Sequence, residues 1–335
     1  MPGMVTSLIL AAVLLASPGG DGAVTVPPEA PVSVRAGLYV VDISDINETS
    51  NTFSVELDVV GGWKDERLAF DGEQPRTYLG QHAVAFRESI WIPQIVAVNV
   101  LGEMSLRSMT FRVTPDGSVV LRGRIAGVLR APLDYHDFPF DSQVLPVVLQ
   151  SFAWDASEVR IVPDPEFDGF DPAFRMSEWE IRDVRASVVK HSREADGVEF
   201  SRMRFEIEVK RHSGYYLWKV LLPLIIVVLI SWIVFYMPNE ALGRRAAVSS
   251  TGVLTVIAYQ FVVSSSLPRV PYLTQMDRMT LLSVATIGAT MLVNMMVDRA
   301  KRVSDERALA IDRTSRWLFA LVYFSLLALF FFSVG

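Results

Sequence analysis

The sequence predicts an exported all-β sandwich followed by a bundle of four membrane-spanning helices. Three observations carry that expectation: alternation of apolar and polar residues from about Val32 to Arg211, a change after Gly214 to long apolar runs, and a short apolar run near the N-terminus. Composition agrees, since 51% of the 335 residues are hydrophobic and the apolar ones crowd toward the C-terminal third.

The N-terminal run VTSLILAAVLLAS, Val5 to Ser17, is too short to span a bilayer comfortably and is followed by the breaker-rich SPGGDG. It reads as a signal peptide over residues 1–22, cut between about Ala16 and Ala23, although no Lys or Arg precedes it; a short membrane anchor is the alternative. The sandwich is assigned to residues 23–212. Its clearest strand is EFSRMRFEIEVKR, where Phe205, Ile207 and Val209 share one face while Arg204, Glu206, Glu208 and Lys210 share the other. NTFSVELDVV alternates in the same way, VVLRGRIAGVL and VLPVVLQSF are further strands, and Pro115-Asp116-Gly117 is a tight turn; antiparallel pairing is expected.

The membrane part, 213–335, divides into helices over about 215–237, 243–266, 275–298 and 315–334. An even number of spans returns the C-terminus to the outside. The basic segment DRAKRVSDERALAIDRTSR is then cytoplasmic, and it is too short to hold a catalytic domain. The second span differs from the rest in carrying Ser249, Ser250, Thr251, Thr255, Tyr259 and Gln260. Steps of three or four residues from Arg244 give Ala247, Thr251, Leu254, Ala258, Phe261 and Ser265, one helix face that runs from a cation through small and hydroxyl groups to apolar constrictions. That is the profile of a water-lined wall; helix packing through small residues is the alternative. One helix cannot enclose water, so several copies of the chain must surround an axis, in a number this reasoning leaves open.

Several classes are excluded. There is no cysteine for a disulfide, a structural zinc site or thiol catalysis. The net charge is -6 and no basic stripe interleaves with aromatics, which argues against nucleic acid. His82, His136, His191 and His212 form no HExxH pattern, and neither a Gly-rich phosphate loop nor G-x-S-x-G is present, so neither an enzyme nor a cofactor is expected.

The stretch APLDYHDFPFDSQVLP, together with RHSGYYLW before the first span, the hydroxyl-bearing second span and LPRVPYLT after it, resembles the pentameric ligand-gated ion channels, in particular bacterial members. The resemblance covers nearly the whole mature chain. It implies a homopentamer around a central pore in the inner membrane, with the sandwich and the C-terminus periplasmic. The implied partners are the lipid bilayer, a small-molecule agonist and permeant inorganic ions. Ala131 and Leu145 stand where other members carry the disulfide. The implied coupling elements are Phe138, Pro139, Phe140 and Asp141, pressing near the Leu267–Thr274 connector with Pro268 and Pro271, and Arg211, which pairs with Asp141. The implied ligand site draws on Val98, Asn99, Gln150, Phe152 and Phe200 of one subunit and Glu56 or Asp58 of its neighbour. Phe152 and Phe200 would hold a cation by their ring faces, but Gln150 and Val96 stand where some relatives carry acids, which disfavours an amine.

Two further readings concern ions. DPEFDGFDP offers Asp164, Glu166, Asp168 and Asp171 as weak Ca²⁺ candidates, with a solvated acidic loop preferred. At the inner mouth Gly243-Arg244-Arg245 lacks an acid; Arg245 matches a position that points away from the pore, while Arg244 lies on the pore face. Five guanidinium groups about 6 Å from an ion contribute on the order of 3 kcal/mol in water. Glu240, one turn away, offsets part of that, leaving a weak anion preference. The alternatives are a cation-selective or proton-gated channel of the same fold, or a membrane-anchored sandwich sensor without a pore.

Overall fold

The computed structural model describes residues 26–192, 197–237, 242–264 and 270–334. The expected signal peptide lies outside them, as do Glu240, Ser265 and Pro268 of the expectations above. The chain divides into two compact units. The first holds Leu133 and the residues before it together with Ser142–Lys210; the second holds Asp134–Asp141 and Arg211 onward.

The first unit is a β-sandwich of two sheets. One runs in the order β3 (Arg76–Leu79), β5 (Ser105–Val113), β6 (Ser118–Arg130), β2 (Thr52–Lys64), β1 (Val32–Asn47), β8 (Val159–Pro163), with β9 (Gly169–Phe170) also on β1. The other is β10 (Trp179–Ser192), β11 (Glu199–Arg211), β7 (Ser142–Ser151), β4 (Ile95–Ala97). Alternation decides which residues fill the space between the sheets: Phe53, Val55 and Leu57 of β2 and Phe205, Ile207 and Val209 of β11 are buried in one core with Trp63, Trp91 and Phe111. Ala131 and Leu145 are buried there as well, an apolar contact layer where a disulfide is absent.

Residues 115–117 turn as expected between β5 and β6. Gly117 sits at φ +82, and a side chain there would collide with the Asp65 carbonyl. The Thr114 and Ser118 hydroxyls and the Ser118 N–H bond to Asp116, which lowers its carboxyl to about 2. Two features depart from expectation. β1 pairs in parallel with β8 and β9, because alternation fixes which face is buried and carries nothing about strand direction. A short helix, α1 (Gln81–Ser89), also interrupts the strands, and its Phe86 stacks on Tyr78.

The second unit holds four long helices: α2 (Gly214–Tyr236), α3 (Leu242–Ser264), α4 (Gln275–Lys301) and α5 (Asp305–Val334). α2 and α4 are long and apolar enough to cross a membrane. α2 is not uniform, since it passes through a π-helical turn at Leu217–Leu221 and ends in 3₁₀ form at Ile233–Tyr236. Pro223 explains the first irregularity: with no N–H to offer, it leaves the Lys219 carbonyl without an α-helical partner. The Tyr259 hydroxyl of α3 donates to the Lys219 and Val220 carbonyls, at 2.9 and 2.8 Å. Gly252 brings α3 close to α2 and α4, since a Cβ there would strike Ser231 Oγ and crowd Ile287.

Candidate functional site

Three groups of residues matter: one face of α3, the Asp134–Asp141 turn, and the outer surfaces of the two sheets.

On α3 the sequence-derived stripe is exposed. Arg244, Ala247, Thr251, Leu254, Ala258 and Phe261 all lie on the uncovered side, Leu254 at 67% and Phe261 at 74% exposure. The opposite face, Arg245, Ser249, Gly252 and Val256, is buried. Ser249 shares a hydrogen bond with Thr290 of α4 at 3.0 Å and also meets Asn294, and Thr255 Oγ1 donates to the Thr251 carbonyl. The polar residues of this helix therefore divide by side. Ser249 and Tyr259 serve packing, whereas Thr251 faces outward.

The turn is built around a buried ion pair. Arg211 Nε donates to Asp141 Oδ1 at 2.7 Å and Nη2 to Oδ2 at 3.2 Å, and both side chains are almost fully buried. The Arg211 guanidinium also lies 4.9 Å from the centre of the Phe138 ring, which meets Tyr216 edge-on at 4.7 Å. Phe138 is fully buried and Phe140 partly so. The Phe138–Pro139 peptide is cis. Pro139 and Phe140 share a small cavity with Leu217, Leu221, Met276 and Met279.

The same turn caps α4. A helix begins with N–H groups that lack intrahelical partners. Here the Gln275 N–H donates to the His136 carbonyl at 3.0 Å and the Met276 N–H to the Phe138 carbonyl at 3.2 Å. Thr274 and Asp277 complete a capping box. Next to it the His136 ring stacks on Tyr272 at 3.8 Å, the Tyr272 hydroxyl accepts from the Tyr135 N–H, and His136 Nδ1 lies 2.6 Å from Asp134. Pro271 is exposed beside Tyr272.

On the first unit the ligand candidates separate into distinct environments. Phe152 is 72% exposed and Val98 is exposed, while Phe200 is buried at 5%. Asn99 is a backbone staple: Nδ2 donates to the Arg130 and Pro146 carbonyls and Oδ1 accepts from the Val148 N–H, which leaves its amide committed. Gln150 Oε1 accepts from Arg202 Nε and Nη2 at 2.9 and 2.7 Å. On β2, Asp58 accepts both forks of Arg124, at 2.7 and 2.8 Å, with Glu56 at 3.9 Å. The bonds to Asp58 hold the Arg124 guanidinium above its usual range, whereas burial pushes Arg202 down. Arg124 and Arg202 are the residues that sequence reasoning missed. Their signal is cross-strand register, Arg124 opposite Asp58 and Arg202 opposite Gln150.

The acidic loop does not converge on an ion. Asp168 accepts from the Leu38 N–H and Asp171 from the Ala173 N–H, and among the described residues no three His, Cys, Asp or Glu side chains come together as a metal site. Burial pushes the Asp168 carboxyl above its usual range, against the pull of the Leu38 N–H.

Comparison with known proteins bears on all of this. Residues 24–213 match the neurotransmitter-gated ion-channel ligand binding domain, and residues 220–307 the transmembrane region of the same channels. The chain is 28% identical over 315 residues to a proton-gated ion channel of Gloeobacter violaceus, which covers 91% of this chain and 84% of that protein. It is 29% identical over 269 residues to a gamma-aminobutyric acid receptor subunit beta-like of Drosophila melanogaster, and 27% over 253 residues to the human gamma-aminobutyric acid receptor subunit rho-3. These alignments cover 74% of this chain and 52% and 54% of those proteins, so the chain spans about half the length of the receptor subunits. On a match that takes in both the sandwich and the helices, the chain belongs to the neurotransmitter-gated ion-channel family.

Proposed function

We propose that this chain forms a homopentameric ligand-gated channel of the inner membrane, with its sandwich and C-terminus on the periplasmic side. The observation that carries the reading is the division of α3. Its buried face is filled by α2 and α4 partners, while its other face presents Arg244, Thr251, Leu254 and Phe261 with nothing of this chain against them among the described residues. Copies arranged around an axis would turn those faces toward a shared aqueous path, with Leu254 as the hydrophobic constriction.

The agonist is proposed to be a small molecule carrying an anionic group. Among the described residues, the Arg202 guanidinium hydrogen-bonds the neutral Gln150, and Arg124 stands on the other sheet beside Asp58. A guanidinium fork matches a carboxylate in geometry and charge. Phe152 supplies an exposed ring near Gln150, while Asp58 and Glu56 act through Arg124. The turn Phe138–Asp141 with Arg211 is proposed to transmit agonist binding by its grip on the start of α4.

Purified protein in planar bilayers tests the function. Currents evoked by small carboxylates, with a size-exclusion mass of five chains, support it; a protein that reconstitutes as a pentamer yet passes no current with carboxylates or acid overturns it. Protons are the second reading, favoured by the raised Asp168 carboxyl and by the similarity to the proton-gated channel. Current on acidification without carboxylate would select it.

A further inference from the structure

Arg245 is fully buried on the packed side of α3 and bonds to two other helices. Its Nε donates to the Val234 carbonyl at the 3₁₀ end of α2, at 3.0 Å. Its Nη2 donates to Asp312 Oδ2 of α5 at 2.6 Å. Both side chains are nearly inaccessible, at 0% and 3%. The pair is incomplete: Arg245 Nη1 and Asp312 Oδ1 are buried without a hydrogen-bond partner, one a donor and the other an acceptor. Asn294 Oδ1 of α4 is orphaned too, while its Nδ2 reaches Ser249, one turn along α3 from Arg245. In the Asp141–Arg211 pair, by contrast, both carboxylate oxygens accept from the guanidinium.

An orphaned buried donor and its complementary orphaned acceptor cost free energy that closing the fork would recover. With Nε on Val234 and Nη2 on Asp312, a shift of α3 against α5 would bring Nη1 and Oδ1 together. We infer that Asp312 is a positioning residue for the pore helix, anchoring the Leu242 end of α3 to α5 through Arg245, and that the half-made pair leaves this junction with a second, fully paired arrangement. α5 thereby has a direct hold on the pore helix at the residue adjoining Arg244. The sequence reading placed Arg245 away from the pore and assigned it no partner; the structure supplies one from the last helix.

The inference rests on the channel reading, and wild-type currents in the same bilayers keep the two apart: absence of wild-type current counts against the channel, not against the pair. Replacing a buried pair with apolar residues often preserves folding, whereas removing one partner leaves a charge uncompensated. Arg245→Met with Asp312→Leu should therefore assemble and unfold near the wild-type temperature, yet shift half-activation and deactivation by about tenfold. Asp312→Glu keeps the charge and lengthens the arm, and should also change deactivation, by about threefold or more. Apolar replacement and Asp312→Glu both within about twofold of wild type would overturn the proposal. So would failure of every variant to assemble by size exclusion, which would assign the pair to assembly alone.

Discussion

At the scale of single residues, the buried Asp141–Arg211 pair is the contact proposed to join stability to signalling. Either charge alone would be stranded, at a cost of roughly 3 to 5 kcal/mol, so Asp141→Asn should impair opening more than agonist affinity. A double-mutant cycle on the opening equilibrium checks this, and a coupling energy near zero would remove the pair from the mechanism. Leu254 offers the converse case of a residue that costs little to change. As an exposed side chain on the stripe proposed to line the pore, Leu254→Thr should assemble normally and lower the half-activating agonist concentration by about tenfold, read from dose–response currents. Asp168 adds a pH dependence. Burial raises its carboxyl above 3.8, so its contribution to stability is present below that value and is lost as pH rises through the raised one. Asp168→Asn keeps an acceptor for the Leu38 N–H and removes the ionisation, so thermal unfolding of the variant on either side of that range should lack this decline.

Among the elements, α2 and α3 are held by a contact that neither helix predicts alone. Pro223 frees a carbonyl, and Tyr259, forty residues from Lys219, answers it. Tyr259→Phe removes that donor while keeping the ring and should cost about 1 to 2 kcal/mol, read as a lower unfolding midpoint of the detergent-solubilised protein. The strands were legible because burial in a sandwich imposes period two, and Phe53, Val55, Leu57, Phe205, Ile207 and Val209 lie where that period places them. The exposed stripe of α3 was legible for the same reason at helical period. Strand direction at β8, the π-turn of α2 and the Asp58–Arg124 and Gln150–Arg202 pairs were not, since each depends on which distant segment lies alongside. The burial of Phe200 was not legible either, because an aromatic at a strand end looks the same in sequence whether its ring is covered or exposed.

For the molecule as a whole, the proposed pore has a charge at its inner mouth that decides which ions it favours. Arg244 is exposed on the outward stripe, whereas the neighbouring Arg245 is buried against Asp312, so only one of the two adjacent cations lies on that face. Five Arg244 side chains would favour anions by on the order of 3 kcal/mol before screening by salt. Reversal potentials in a KCl gradient should lie toward the chloride equilibrium value, and Arg244→Glu should move them toward that of potassium.

The bonds from Gln275 and Met276 to the carbonyls of His136 and Phe138 also supply an intrinsic reporter. A main-chain amide that loses its acceptor exchanges its proton with water faster, in proportion to the time it spends open. If agonist loosens the grip of the turn on α4, deuterium uptake at Gln275 and Met276 should rise with agonist while amides in the middle of α4 stay slow. Two backbone protons would then report how far agonist opens the turn, without a dye or an electrode.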